Sequence, residues 1–149
     1  MTTTPPTIHQ LQEVTPEVAA QLKVLFSHLT DTPQAEPCEE RLRAIVESPH
    51  AALFVALAEG EIVGALTIVH LSLPTSEKLW IEDVVVSPAA RGAGLGRKLV
   101  VAAQEWAVKH HPSAVIYLTS NPSRTAARAL YRSLGFEEYN TGVFKFNNQ

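Results

Sequence analysis

One cysteine, no surplus of positive charge and no long apolar run set the first limits on this chain. With Cys38 alone, an intramolecular disulfide framework is excluded, and the composition fits a reducing compartment. No motif surrounds Cys38, so it reads as an ordinary thiol rather than a nucleophile. A net charge of −3 lacks the basic excess of a nucleic-acid binder. No apolar stretch approaches the roughly 18 residues of a membrane span, and "MTTTPPT" has neither the basic nor the apolar region of a secretory leader. The expectation is a cytoplasmic protein that engages neither nucleic acid nor membrane, with residues 1–6 as a loose tail. Repeats, low-complexity tracts and linkers are also missing. The 149 residues, 46% apolar and 18% charged, are enough for one domain over 1–149 with its own core.

What is present is an ordered series of elements. "TIHQLQ" reads as a strand. In "TPEVAAQLKVLFSHL", Thr15 caps a helix, Pro16 opens it, and Val18, Leu22, Leu25, Phe26 and Leu29 share a face. A second short helix turns Leu42, Ile45 and Val46 inward and stops at Pro49. "AALFVALAEGEIVGALTIVHLSL" is two β-rich runs joined at Glu59-Gly60, the mark of a hairpin. A strand over 79–86 follows, then a helix over 94–111 with Leu95, Leu99, Ala102, Ala103 and Trp106 as one stripe. Val100, Val101 and Val108 lie off that stripe, which points to packing on more than one side. "SAVIYLTS" reads as a buried strand. Asn121-Pro122 reads as the start of a last helix and Gly135 as its C-terminal stop. "FEEY" and "VFKF" close the chain as a hairpin. The order β-α-α-β-β-β-α-β-α-β-β predicts an α/β fold of the α+β kind, a mixed sheet with helices on both faces.

The stretch "EDVVVSPAARGAGLGRKLV", residues 82–100, carries the chemistry. A strand, a glycine loop and a helix N-terminus make an anion site, because unpaired amides point outward and glycine lets a ligand reach them. A Walker loop fails: counted from Gly92, the second required glycine is Arg97, and no Ser or Thr follows Lys98. Gly92, Gly94 and Gly96 also give GxGxG rather than the dinucleotide GxGxxG, and the strand stands midway through the chain.

The loop resembles the pyrophosphate loop of the GCN5-related N-acetyltransferases, Arg/Gln-x-x-Gly-x-Gly/Ala, through Arg91, Gly94 and Gly96. A second stretch, "SNPSRTAARALYRSLGF" at 120–136, resembles that family's Asn-x-x-Ala-x-x-x-Tyr-x-x-x-Gly-Phe helix through Asn121, Ala127, Tyr131, Gly135 and Phe136. The likeness runs from about residue 60 to 146, while the first 50 match only in element order. It implies a six- or seven-stranded mixed sheet, acetyl-coenzyme A as co-substrate, an amine as acceptor and no metal. A homodimer joined through the C-terminal strands is also in keeping with it.

Acetyl transfer from a thioester to an amine sets three physical tasks. The cofactor's phosphates need donors, which the amides of Gly92, Ala93, Gly94, Leu95, Gly96 and Arg97 supply, with charge from Arg91 and Arg97. Arg97 and Lys98 in a first helical turn oppose the helix dipole unless an anion is bound; a solvated turn is the plain alternative. The resemblance implies that Val84 and Val86 hold the pantetheine arm by their backbones, beside a bulge. It also implies that Asn121 contacts the pantetheine amides, a role that competes with helix capping.

Third, protons must move. An alkyl amine with a pKa of about 10 needs a base before it attacks. Glu82 and Asp83 are adjacent in a strand, so their side chains alternate in direction and one of them faces the acceptor. The resemblance favours Glu82, with Asp83 in reserve; strand-end carboxylates paired elsewhere are the alternative. Tyr131 matches the family's thiol-protonating tyrosine, and Ala127, one turn before it, leaves room for the acetyl end. Packing alone is the other reading of Tyr131. Arg124 and Arg128 stand one turn apart near the same face, where phosphate, acceptor and solvent are all open as what they meet. His110 and His111 end a helix, where imidazole suits the dipole; no other ligand cluster accompanies them, so they do not read as a metal site, and no Ser-His-Asp set is legible. Trp80 and Trp106 read as core or pocket wall.

Both catalytic groups are kept, which favours an enzyme over a regulatory acetyl-CoA-binding domain. Asp31, Glu36, Glu39 and Glu40 lie where the first two helices connect and have two equal readings, attraction of a small cationic amine or a solvated acidic loop. A lysine or N-terminal acetylase acting on protein is the competing reading.

Overall fold

The computed structural model describes residues 4–29 and 38–148. They form two compact units, one reaching to Thr119 and one beginning at Ser120.

The first unit is built on a five-stranded sheet: β1 (Thr7–Gln10), β2 (Ala51–Ala58), β3 (Glu61–Ser72), β4 (Glu77–Val86) and β5 (Val115–Tyr117), side by side in that order. All neighbours are antiparallel except β4 and β5, which run parallel. Glu59 and Gly60 join β2 to β3 with φ of 51° and 81°. Two consecutive positive values are what a tight hairpin turn with the native strand twist requires.

Helix α1 (Pro16–Phe26) begins as its sequence predicts: the Thr15 hydroxyl accepts the Val18 N–H at 3.1 Å, and Pro16 opens the first turn. In α2 (Glu39–Glu47) the cap is Cys38, whose Sγ accepts the Arg41 N–H at 3.3 Å. Ser48 is already extended, as a residue before proline prefers, so the helix ends there. Leu22, Leu25, Phe26 and Leu42 pack with Leu53, Val55, Ala65 and Val85 on one face of the sheet, with Val18, Leu29, Ile45 and Val46 around them. Helix α3 (Leu95–His110) covers the other face. Its Leu99 would meet a Cβ on Gly64 at 3.2 Å, so glycine there lets helix and sheet approach closely. Leu99 and Val100 are both fully buried, which bears out packing on two sides, whereas Val108 is 72% exposed. Each of these buried aliphatic side chains contributes about 1.5–3 kcal/mol relative to exposure.

At the end of the sheet remote from the glycine loop, the alternation of β3 and β4 sends His70 and Glu77 to the face under α3. There His70 Nε2 lies 2.9 Å from Glu77 Oε1, and the His70 ring stacks on His111 at 3.8 Å. Burial first, then His70, holds the His111 imidazole below its ordinary pKa.

The second unit holds α4 (Thr125–Ser133). It ends in a paired stop: Gly135, at φ 96°, donates to the Arg132 carbonyl, and Phe136 donates to the Tyr131 carbonyl. The Tyr131 and Phe136 rings meet edge to face across that turn.

Three expectations change. Asn121 does not cap α4; it closes a separate turn, its Oδ1 accepting from the Ser123 N–H and hydroxyl, and the helix starts only at Thr125. β5 is three residues long, and Val115 on this edge strand is 57% exposed. "FEEY" and "VFKF" form no strands, so the described residues hold five strands rather than six or seven. Alternating side chains supply a face but not the backbone partners that a ladder needs. Tyr139, Val143, Phe144 and Phe146 in this segment are exposed. Among the described residues no helix is long and apolar enough to cross a membrane.

Candidate active site

The site in the first unit starts from an irregularity in β4. Thr67 pairs with Glu82 and Ala65 with Val85, so Leu66 alone faces both Asp83 and Val84. That is a β-bulge, and Asp83 takes it with φ of 51°. Left-handed geometry costs a non-glycine residue about 1–2 kcal/mol, though aspartate tolerates it better than most. Simple alternation therefore does not carry through Asp83. Glu82 sits opposite Thr67, which shares a face with Ala65, so its carboxylate lies on the face covered by α1 and α2.

Beyond the bulge, no described strand pairs with one edge of β4, which is open there. β5 pairs only with Lys78, Leu79 and Trp80, so the two parallel strands part before Glu82. Ser87 donates its N–H to the Val63 carbonyl at 2.8 Å, and backbone direction alternates along the strand. Val85 thus bonds towards β3, while Val84 and Val86 direct their N–H and C=O to the open edge. The Val85 side chain is core; those of Val84 and Val86 are half-buried.

A short 3₁₀ turn (Pro88–Ala90) then leads into the glycine loop. Gly92 and Gly94 have φ of 90° and 74°, and a Cβ on either would point into open space. Gly94 is the N-cap of α3 and has no side chain to accept its first amides, as α-helical geometry leaves them. Leu95 is buried and anchors the helix start, Gly96 is half-buried, and Arg91, Ala93, Arg97 and Lys98 are exposed. With basic and no acidic residues in that first turn, the end of α3 is suited to an anion. An open strand edge, a glycine loop with room above it and an uncapped helix start fit a phosphorylated cofactor with an amide-bearing arm.

Burial first, then the Asp83 charge, pushes the Glu82 carboxyl above its ordinary pKa, although the residue keeps an exposed edge. That shift moves it towards the range of a useful base. Asp31 and Glu36 lie outside the described residues. Glu39 forms an exposed ion pair with Arg43 one turn on, the ordinary role of a helix-surface acid.

Within the second unit, Ala127 and Tyr131 are half-buried on α4. Burial raises the Tyr131 pKa, with Arg124 opposing, so the phenol stays protonated at neutral pH. Counting back from Ala127, the family spacing puts its asparagine at position 124, where this chain has Arg124, the N-cap of α4. Asn121 is three residues too early for that place. Arg128 is committed within its own unit, donating to Glu138 at 2.8 Å and to the Ser120 carbonyl at 3.3 Å. Sequence reasoning missed that the bulge falls at Asp83; the signal was an aspartate, a residue tolerant of left-handed geometry, in a strand expected to bulge.

The acetyltransferase (GNAT) family profile matches residues 19–136. A Bacillus subtilis relative, the uncharacterized N-acetyltransferase YhdJ, is 31% identical over 132 residues, covering 87% of this chain and 92% of that protein. The Salmonella typhimurium aminoglycoside N(6')-acetyltransferase type 1 is 29% identical over 105 residues, covering 67% of this chain and 72% of the relative. In fold the chain is similar to an aminoglycoside acetyltransferase from an uncultured soil sample, meta-AAC0020, at a TM-score of 0.83 and 24% identity over 97% of each chain. This chain belongs to the GNAT family and is an N-acetyltransferase.

Proposed function

We propose that the protein transfers an acetyl group from acetyl-CoA directly to a primary amine of a small, cationic, multiply aminated molecule, with aminoglycoside-like amino sugars as the first class to test. The observation that carries the reading is the Asp83 bulge, which opens the β4 edge immediately before an uncapped glycine loop. The relation to an aminoglycoside acetyltransferase supports the acceptor class.

Bound acetyl-CoA supplies an activated thioester carbonyl. Everything else falls to the chain. The amides from Gly92 to Arg97, with the Arg91 and Arg97 guanidiniums, hold the phosphates. The Val84 and Val86 backbones extend the sheet by pairing with the pantetheine amides, and Ala127 completes the cofactor contacts. Glu82 takes a proton from the acceptor ammonium, directly or through one water, and burial first, then the Asp83 charge, keeps that carboxyl's pKa raised. Tyr131 donates a hydrogen bond to the departing sulfur. Its own raised pKa lies above the roughly 8.5 of a thiol, so it stabilises the thiolate more than it surrenders its proton. The amine attacks in a ternary complex, since among the described residues no nucleophile is placed to take the acetyl group first. Localisation in the cytoplasm and a homodimer accord with this reading.

The test is release of free coenzyme A thiol across a panel of polyamines, aminoglycosides, amino sugars, amino acids and lysine peptides. Release dependent on cationic small amines supports the proposal. Release with lysine peptides alone replaces it with a protein acetylase, and binding of acetyl-CoA without any release replaces it with a regulatory domain.

A further inference from the structure

We propose that His70, Glu77 and His111 form a divalent transition-metal site, of the zinc class, at the end of the β3–β4 pair remote from the glycine loop. The three side chains come from β3, β4 and the C-cap of α3. His70 Nε2, Glu77 Oε1 and His111 Nδ1 all lie within 4.8 Å of one another. The first pair is separated by 2.9 Å and the second by 3.9 Å. Ligands of a tetrahedral ion with bonds of about 2.0–2.1 Å stand roughly 3.3 Å apart, so the trio brackets the required spacing. Two imidazoles and one carboxylate are the donor set that zinc, nickel and copper prefer over magnesium or calcium.

His70 is buried, at 7% exposure, which fixes one ligand, while Glu77 and His111 are half-buried and leave a route from solvent. The other nitrogen of His70 is also engaged. Its Nδ1 lies 3.1 Å from His50 Nδ1, and the His50 carbonyl accepts the His70 backbone N–H at 2.7 Å. Such an outer partner sets ring orientation and tautomer. His50 is therefore a positioning residue for this site. Binding requires the His70 tautomer with a free Nε2 lone pair, any proton there passing to solvent, and turns the His111 ring out of its parallel stack, so that both lone pairs meet one ion. The result is a pin tying two strands to the end of α3. Five residues of β4 separate Glu77 from Glu82, about 17 Å of strand, so the pin is distinct from the acetyl-transfer site.

The experiment is titration of the chelator-treated full chain with zinc by calorimetry and thermal melting, and with cobalt by visible absorption. The proposal predicts one equivalent, a raised Tm and the absorption of tetrahedral cobalt with nitrogen and oxygen ligands. His111→Ala and Glu77→Gln should each weaken binding by more than the roughly 10–100-fold typical of an outer-shell loss, and His50→Ala by about that amount. The exposed control His9→Ala, on β1, should leave it unchanged. If His70→Ala fails to fold, the two half-buried variants decide. Zinc binding that is undetectable at near-millimolar metal, or equally strong in His111→Ala, overturns the proposal.

Discussion

The Arg91 Nε lies 3.4 Å from the Val86 carbonyl oxygen, so the loop arginine folds back over the open edge of β4. This carbonyl is one of the groups proposed to pair with the pantetheine arm, and Arg91 must release it when the cofactor arrives. Its guanidinium then turns to the phosphates, a gain of about 1.5–3 kcal/mol per charge-assisted bond. Arg91→Ala should accordingly raise the Kd for acetyl-CoA about 10–100-fold, while Tm without ligand stays unchanged. Calorimetry against acetyl-CoA and against dephospho-CoA measures this. An unchanged Kd for acetyl-CoA removes Arg91 from cofactor binding.

Gly94 caps α3 at φ 74° with nothing near the place a Cβ would occupy. Gly94→Ala should therefore cost stability through backbone strain alone, about 1–2 kcal/mol. The new methyl also stands where phosphates are proposed to approach, so acetyl-CoA affinity should fall as well. Denaturant unfolding and cofactor titration separate the two effects. A full loss of affinity with no loss of stability would mean that the left-handed conformation is not strained.

Most of the fold was legible because each boundary had a local cause: Thr15 and Pro16 for α1, Glu59-Gly60 for the hairpin, Gly135 for the end of α4. Residues whose structure depends on distant partners were not. "VFKF" alternates like a strand yet has no ladder, and Asn121 looks like a cap while its side chain closes an earlier turn. The loop half of the candidate site could be read because Gly92 and Gly94 declare their backbone directly. His111 could not be linked with His70 and Glu77, since 41 and 34 residues separate them in the chain. Only the pleat of β3 and β4 and the length of α3 bring them together.

Tyr131 tests the leaving-group half of the mechanism. Its phenol is protonated at neutral pH because burial raises its pKa. Tyr131→Phe keeps the ring and its edge-to-face contact with Phe136, so the fold should be preserved. Affinity for acetyl-CoA should be retained while kcat falls roughly 10²-fold, the lower end for losing an acid–base group. Single-turnover rates make the comparison at the chemical step. An unaltered single-turnover rate assigns Tyr131 to packing.

Glu82 makes opposite demands on stability and on catalysis. Burial and Asp83 raise its folded pKa above the ordinary 4.5, so the fold favours the protonated form. For a raised pKa, the stabilising contribution is complete below the unfolded value and is lost as pH rises through the folded one. At pH 7 the carboxylate therefore opposes folding, and Glu82→Gln should melt higher than the parent there. The advantage should shrink as pH falls through the folded pKa and vanish below about 4. Activity should move the other way. Glu82→Gln should lower kcat/KM by about 10²-fold near neutrality, and the deficit should close as pH approaches the amine pKa of about 10, where the acceptor deprotonates unaided. A deficit that persists unchanged to that pH assigns Glu82 to binding and passes the base role to Asp83, whose own Asp83→Asn variant would then show the pH-dependent loss.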